Sequence, residues 1–509
     1  MPKYATFTNA RFIRTLASPS RALCRPVLPS GATPYPLFAV MTMNEIRQPR
    51  AKMHTDILPI DPTKIGQIVL HDSPESLLDE WDLKWEVNTA DLAHMKRAAA
   101  QLRSTDIPVA FPTETVYGLG ADATRSTAVQ GIFQVKQRPS DNPLIVHVCS
   151  IQQLKEILRS NGSHESIPAI YQPLIQKFWP GPLTIILPNP KESPLTPEVT
   201  AGLSTFGARM PRSLLALVLI KLAGVPLAAP SANASTRPSP TAAEHVKDDL
   251  DGRIEMILDG GPCDVGVEST VVDGLTHPPS ILRPGGISIE KLRKCPGWEN
   301  VVVGYKDAPE KGIKPRAPGM KYRHYSPKAP VILYEAGAER PTAETIREYV
   351  RQRRRLGIIR TKSWPPACGL PIDSTNDQEG KVRTVAKLEE HVNNISESPF
   401  ISSNGNPLPL QEDVLAEPGF VNLLQSYTQH RIPVASFTSL YLDISGPIDL
   451  WEISLGREMK DIARGLFSAL RELDKYGVDA ILVEGINDNE GDIATAVMNR
   501  LRKAAEVRV

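Results

Sequence analysis

Between Asp91 and about residue 293, short apolar runs alternate with amphipathic ones, and that alternation leaves few folds open. Ile107–Phe111, Leu144–Val148, Leu183–Leu187, Pro226–Ala229, Ile254–Leu258, Ser269–Val272 and Ile281–Leu282 have the length and content of buried strands. Asp91–Leu102 places Leu92, Met95, Ala99 and Leu102 on one stripe of a helix. Helical patterns recur at Thr127–Lys136, Ile151–Leu158, Arg212–Leu222, Ala242–Asp249 and Ile289–Lys294. Alternation of this kind over about 200 residues predicts an α/β domain.

The flanks read differently. Residues 45–90 form a polar lead-in with little periodicity, and the catalytic candidate runs from 91 to 300. Pro309, Pro315, Pro318, Pro327 and Pro330 mark residues 301–330 as an extended linker. A second α/β unit, 331–509, begins with a strand at Val331–Tyr334, a helix at Thr342–Arg353 and a strand at Leu356–Ile359. It ends with an amphipathic helix at Met459–Tyr476, a strand at Ala480–Val483 and a closing helix at Ala494–Ala505. Between them, about 361–418 is a polar insertion rich in Pro, Asn and Ser. The unit is Rossmann-like in pattern but has no G-x-G-x-x-G.

Charge and cysteine usage narrow the function. Lys plus Arg number 58 against 57 Asp plus Glu, so no global basic field argues for nucleic acid, and aromatic residues for base stacking are only 6%. None of the five cysteines stands in a C-x-x-C pair, which argues against a zinc knuckle. No apolar run reaches about 18 residues; Leu214–Leu222 is short and broken by Lys221. Residues 1–44 carry Lys3, Arg11, Arg14, Arg21 and Arg25 and no acid, as a mitochondrial transit peptide or a plain basic tail would. Met41 and Met43 are alternative starts that drop it. A cytoplasmic protein is expected, with a mitochondrial form where the leader is kept.

Three segments carry candidate chemistry, each beside an apolar strand. Pro112-Thr113-Glu114-Thr115-Val116-Tyr117-Gly118-Leu119-Gly120 offers hydroxyls and glycines at a strand end, where small polar ligands bind, although such a run is also ordinary turn chemistry. Lys136-Gln137-Arg138-Pro139-Ser140-Asp141-Asn142-Pro143 puts two cations at a helix end, suited to a triphosphate or to a solvated cap. Pro230-Ser231-Ala232-Asn233-Ala234-Ser235-Thr236-Arg237-Pro238-Ser239-Pro240-Thr241 is dense in hydroxyls and leads into a helix, whose free N–H groups attract phosphate. Alone it is a Ser/Pro loop.

In this order on one domain, the three segments resemble the YrdC-like family of threonylcarbamoyl-AMP synthases. Trp179-Pro180-Gly181-Pro182-Leu183-Thr184, Gly266-Val267-Glu268-Ser269-Thr270 and Leu282-Arg283-Pro284-Gly285 extend the resemblance over roughly 91–295. Pro318-Gly319-Met320-Lys321-Tyr322-Arg323-His324-Tyr325-Ser326-Pro327 and Ala496-Val497-Met498-Asn499-Arg500-Leu501 resemble the family's longer, two-domain members. Two positions depart from the pattern: Thr236 stands where the family usually has glycine, and the Gly-rich turn before the closing helix is reduced to Gly491-Asp492-Ile493-Ala494.

The resemblance implies a twisted mixed sheet with helices and a concave basic cleft, followed by a smaller Rossmann-like α/β domain. It implies a nucleotidyltransferase that joins L-threonine, bicarbonate or CO2, and ATP, releasing pyrophosphate. The threonylcarbamoyl-AMP formed serves N6-threonylcarbamoyladenosine modification of tRNA and passes to a tRNA threonylcarbamoyl transferase complex. Thr115, His147, Arg209, Ala229 and Ser269 are the expected threonine contacts. Lys136, Arg138, Asn142, Thr205, Ser231, Ser239, Arg283 and Tyr322 are those expected for ATP, with Lys136 and Arg138 as the catalytic cations and Tyr325 a weaker candidate beside Tyr322. Mg2+ is expected on the ATP phosphates, with no dedicated protein ligands. Glu114 and Glu268 are expected to be structural. The linker, 318–327, is expected to lie across the cleft as a lid. The alternatives are an RNA-binding module of translation, with weak RNA binding, and a carbamoyl transferase of the hydrogenase-maturation type, whose paired-cysteine zinc motifs this chain lacks.

Overall fold

The computed structural model describes residues 53–509 except 62–63, 71–80, 86–88, 161–162, 165–166, 306–323, 351–353, 371–399, 403–432, 441, 443–445 and 492. The leader, most of the linker with Tyr322, and most of the polar insertion lie outside the described residues.

An 11-stranded mixed sheet organises the first part of the chain. Its order is Asp56–Pro59, Met256–Asp259, Val109–Phe111, Gly118–Asp122, Leu227–Ala228, Ile145–His147, Thr205–Arg209, Leu183–Pro188, Thr270–Asp273, Ser280–Arg283 and Val302–Val303. Every strand expected from the apolar runs is present, within about two residues at each end. Gly118–Asp122 and Thr205–Arg209 are additional. They escape the apolar signal because glycine and polar residues occupy alternate positions. Gly118–Asp122 pairs antiparallel with Val109–Phe111, and Gly120 is required there, since a Cβ would lie 2.7 Å from the ring of Phe111.

Local chemistry sets the helix ends. Ala90–Ser104 begins at Thr89, whose Oγ1 accepts from the Leu92 amide at 3.2 Å, and its buried stripe includes Leu92, Met95, Ala99 and Leu102. Leu214–Ala223 is capped by Ser213 and ends at Gly224, and it is buried almost all round, which accounts for its unbroken apolar run. Ser126–Lys136 ends on Gln137 in the left-handed conformation, just before Pro139. That stop leaves Lys136 buried in the last turn, and the chain runs on through Arg138 and the buried Asn142 to the strand Ile145–His147.

The second unit is a six-stranded sheet in the order Ser436–Leu440, Ile448–Ser454, Arg355–Arg360, Ala480–Glu484, Val331–Tyr334 and Val507–Arg508. All its pairings are parallel except that of the edge strand Ser436–Leu440, as expected of a Rossmann-like domain. Its helices Met459–Lys475 and Ala494–Ala504 bury their apolar stripes in a core that also takes Val116 and Val267 from the first unit. The two units pack closely: Gly266 has φ +77°, and a Cβ there would lie 2.3 Å from the Cα of Arg464.

Three boundaries differ from those read in the sequence. Residues 45–90 are not a featureless lead-in. Asp56–Pro59 pairs parallel with Met256–Asp259 as an edge strand of the main sheet, and Gly66–Leu70 pairs with Asp82–Trp85. Short strands with mixed polarity at a sheet edge carry no period strong enough to read. Within the linker span, Val302–Val303 closes the opposite edge of the main sheet. Within the insertion span, Phe400–Ser402 pairs parallel with Gly66–Leu70.

Candidate functional site

A pocket opens where strand ends of the main sheet meet. It is lined by Thr115, Ile145, His147, Arg209, Ala229 and Ser269 on one side, with Arg138, Ser231 and Arg283 beside them. Antiparallel and parallel pairing places Arg209 opposite His147, and His147 opposite Leu227. Three segments far apart in sequence therefore converge within a few ångströms.

All five residues expected to hold threonine line this pocket. Arg209 is buried, and its Nη1 donates to Thr115 Oγ1 at 2.9 Å while its Nε donates to the Gly181 carbonyl at 3.2 Å. Its Nη2 lies 2.5 Å from Oε1 of the equally buried Glu114. Of five N–H donors, two are left for a ligand, enough for a two-pronged grip on a carboxylate. Thr113 Oγ1 donates to the Val116 carbonyl at 2.7 Å, so in its 2.8 Å contact with Thr115 the donor is Thr115. Thr115 keeps a lone pair for the pocket. Burial, helped by the positive charge of Arg209 and opposed by the Ile145 carbonyl, holds the His147 imidazole pKa down at about 3. His147 is thus neutral, and its Nδ1 lies 3.2 Å from the Ile145 carbonyl, which assigns the proton there and leaves Nε2 as an acceptor.

The residues expected around ATP are not all brought to the pocket. Arg138, Ser231 and Arg283 stand in the pocket wall. Arg138 Nη2 is buried with no hydrogen-bond partner, an N–H that a bound anion would satisfy; Asn142 Oδ1 is also buried without one, but Asn142 does not line the pocket. Arg283 donates to the Ser269 carbonyl and Oγ, both at 3.0 Å, so one serine joins the two halves of the pocket. Lys136 stands one layer behind the wall. Its Nζ donates to the Ser231 carbonyl and, at 2.6 Å, to the Asn233 carbonyl, holding the serine-rich loop. Burial first, and then the Arg138 charge, push its pKa well below the usual lysine value. Ser239 is also behind the wall, its hydroxyl 2.5 Å from Glu268 Oε1. Thr205 begins the strand that Arg209 ends, roughly 13 Å away along it, and does not line the pocket.

The linker's end is expected at the cleft, with Tyr325 a weaker candidate beside Tyr322, and the structure brings it there. His324 and Tyr325, at the end of the linker, line the pocket. Tyr325 is buried, stacks on Phe467 at 5.2 Å between ring centroids, and adopts φ +65°. The aromatic and basic content of 318–327 was the available signal. Sequence reasoning missed Arg500 of the closing helix, whose Nε donates to Glu268 Oε2 at 2.9 Å. Both motif glutamates thus face a buried arginine, Glu114 with Arg209 and Glu268 with Arg500. Thr236, where the resemblance expects glycine, has φ +72°, and its carbonyl accepts from the Ser326 amide at 2.9 Å.

Comparison with known proteins places these features in a family. A family model described as "Telomere recombination" matches residues 101–285, and one described as "Threonylcarbamoyl-AMP synthase, C-terminal domain" matches 287–506. The chain is 42% identical to the threonylcarbamoyl-AMP synthase of Schizosaccharomyces pombe, over 81% of this chain and 88% of that one. It is 38% identical to the Bacillus subtilis threonylcarbamoyl-AMP synthase, over 84% and 97%. Among solved structures, Pyrococcus abyssi Sua5 complexed with L-threonine aligns with a TM-score of 0.60 at 32% identity, covering 89% of this chain and 99% of that one.

Proposed function

The chain belongs to the two-domain threonylcarbamoyl-AMP synthase family, and we propose that its pocket joins L-threonine, bicarbonate or CO2, and ATP into threonylcarbamoyl-AMP and pyrophosphate. The observation that carries this is the convergence of Thr115, His147, Arg209, Ala229 and Ser269 in one pocket that continues into Arg138 and Arg283.

The free N–H groups of Arg209 bind the threonine carboxylate as a planar pair. Thr115 and the neutral His147 accept from its hydroxyl and amine. The uncharged amine attacks CO2 and loses a proton, giving a carbamate. A carbamate oxygen then attacks the α-phosphorus of ATP, a P–O bond forms, and the bond to the departing pyrophosphate breaks. The substrate supplies the nucleophile, so the protein's part is positioning and charge neutralisation. Arg138 and Arg283 face the phosphates, with Asn142 and Ser231 beside them. Lys136 fixes the loop that carries Ser231.

Mg2+ would arrive on the triphosphate, whose charge it would neutralise: Glu268 in the pocket lining and Glu114 beside Arg209 are each paired with an arginine, and among the described residues no group of three His, Cys, Asp or Glu could hold a metal.

Several partners follow from this reading. The product passes to a tRNA threonylcarbamoyl transferase complex for position 37 of tRNA. His324 and Tyr325, at the end of the linker, line the pocket, while the rest of the expected lid, with Tyr322, lies outside the described residues. ATP and threonine together should then slow proteolysis within 318–327. Among the described residues no helix is long and apolar enough to cross a membrane. The reading is tested by pyrophosphate release: it should require threonine and bicarbonate together, and release without either would refute it.

A further inference from the structure

The closing helix, Ala494–Ala504, belongs to the second unit, yet its Arg500 reaches the wall of the pocket in the first. Arg500 is 1% exposed. It donates from Nε to Glu268 Oε2 at 2.9 Å and from Nη1 to the Pro284 carbonyl at 2.6 Å, and its guanidinium carbon lies 5.8 Å from the centre of the Tyr325 ring. Glu268 itself lines the pocket, and its other oxygen accepts from Ser239. The neighbouring serine-rich loop is fastened to the same unit. Arg471 reaches the Pro238 carbonyl and Asp249, Thr241 meets Ser468 at 2.8 Å, and Arg237 meets Asp474 at 3.1 Å.

A carboxylate in the wall of a polyphosphate pocket repels its ligand unless a fixed cation cancels it. Burial alone would raise the Glu268 pKa, but the charges of Arg500 and then Arg283 hold it at about 2, so it is ionised at neutral pH. Arg283 is the other cation beside it. If Arg500 were absent, Glu268 would either take a proton or draw Arg283 away from the nucleotide. A conservative cation at 500 restores the charge but not the second hydrogen bond to Pro284.

We infer that Arg500 is a positioning residue for the nucleotide half of the pocket: it neutralises Glu268 and holds it against Ser239, so that this carboxylate does not oppose the triphosphate. The second domain therefore completes the catalytic pocket. This rests on the proposed reaction, since it assigns the anionic ligand to ATP.

Full-length Arg500→Met, Arg500→Lys and the double variant Arg500→Met with Glu268→Gln test it, each checked by near-UV circular dichroism. Arg500→Met should raise the KM for ATP about tenfold or more while the KM for threonine changes less than about threefold. Arg500→Lys should recover part of that loss. The double variant should recover at least about fivefold over Arg500→Met, because it removes the unbalanced carboxylate along with the cation. A double variant no better than Arg500→Met, or equal rises in both KM values, overturns the inference. If Arg500→Met fails to fold, the double variant and Arg500→Lys carry the same comparison with wild type: near-wild-type KM for ATP in both supports charge balance, and a tenfold rise in both overturns it. A wild-type protein without threonine-dependent product would instead refute the proposed reaction.

Discussion

Nη2 of Arg209 lies 2.5 Å from Oε1 of Glu114, and both residues are 3% exposed. A pair this deep is not a source of stability by itself, because desolvating two charges offsets much of their attraction. Its effect is orientation: Glu114, Thr115 and the Gly181 carbonyl fix the position of the guanidinium beside the pocket.

Arg209→Lys should therefore lower kcat/KM for threonine by about 100-fold, since an ammonium cannot reproduce the planar fork. Arg209→Ala should also destabilise the fold by about 3 kcal/mol, because Glu114 is left buried and unpaired. Adding Glu114→Gln should recover much of that stability but none of the activity. Steady-state kinetics and denaturant unfolding check the two effects, and an Arg209→Lys protein with normal kinetics would remove Arg209 from the threonine site.

Thr236 is β-branched and sits at φ +72°, a conformation that disfavours side chains of its type. Replacing it with glycine should stabilise the protein by about 1 kcal/mol, less whatever entropy glycine adds to the unfolded chain. Chemical denaturation measures this. A destabilised Thr236→Gly protein would mean that the threonine side chain holds the loop in a way the backbone angle does not indicate.

His147 yields a pH prediction. Its folded pKa, about 3, is below the ordinary 6.5, so between those values the unfolded chain binds the proton and the native one does not. The contribution to stability is fully present above pH 6.5 and is lost as the pH falls towards 3. His147→Asn should flatten the decline in unfolding free energy over that window, and the wild-type rate should show no inflection near pH 6.5 from this residue. An imidazole NMR titration of His147 with a midpoint near 6.5 would contradict both expectations.

The basic leader is a separate matter. Protein begun at Met1 should reach mitochondria, and protein begun at Met41 or Met43 should remain in the cytosol, because only the first carries the five basic residues of 1–44. Fluorescent fusions of the two forms compare them directly. Identical diffuse distributions would leave the leader as a basic tail.

How much of this was legible beforehand follows from the kind of signal each part emits. Buried strands and striped helices announce themselves by apolar period, so seven of the eleven strands of the main sheet could be read. Gly118–Asp122 could not, because its glycines are there to pass the ring of Phe111, a tertiary contact with no local period. The edge strand Asp56–Pro59 was hidden by its mixed polarity. In the pocket, the motif residues were readable as candidates, but not which of them face the ligand. Lys136 looks in sequence like a phosphate cation, and only the fold shows its ammonium on the Ser231 and Asn233 carbonyls. Arg500 lies 232 positions from Glu268, and no spacing rule links two residues brought together by domain packing.

The central claim is that one pocket activates a threonine carbamate with ATP. The most direct measurement incubates the full chain with ATP, Mg2+, labelled bicarbonate and labelled threonine, then separates the nucleotide products. The account predicts one threonylcarbamoyl-AMP carrying both labels, formed in equal amount with pyrophosphate. Pyrophosphate or ADP without a doubly labelled adenylate would contradict it.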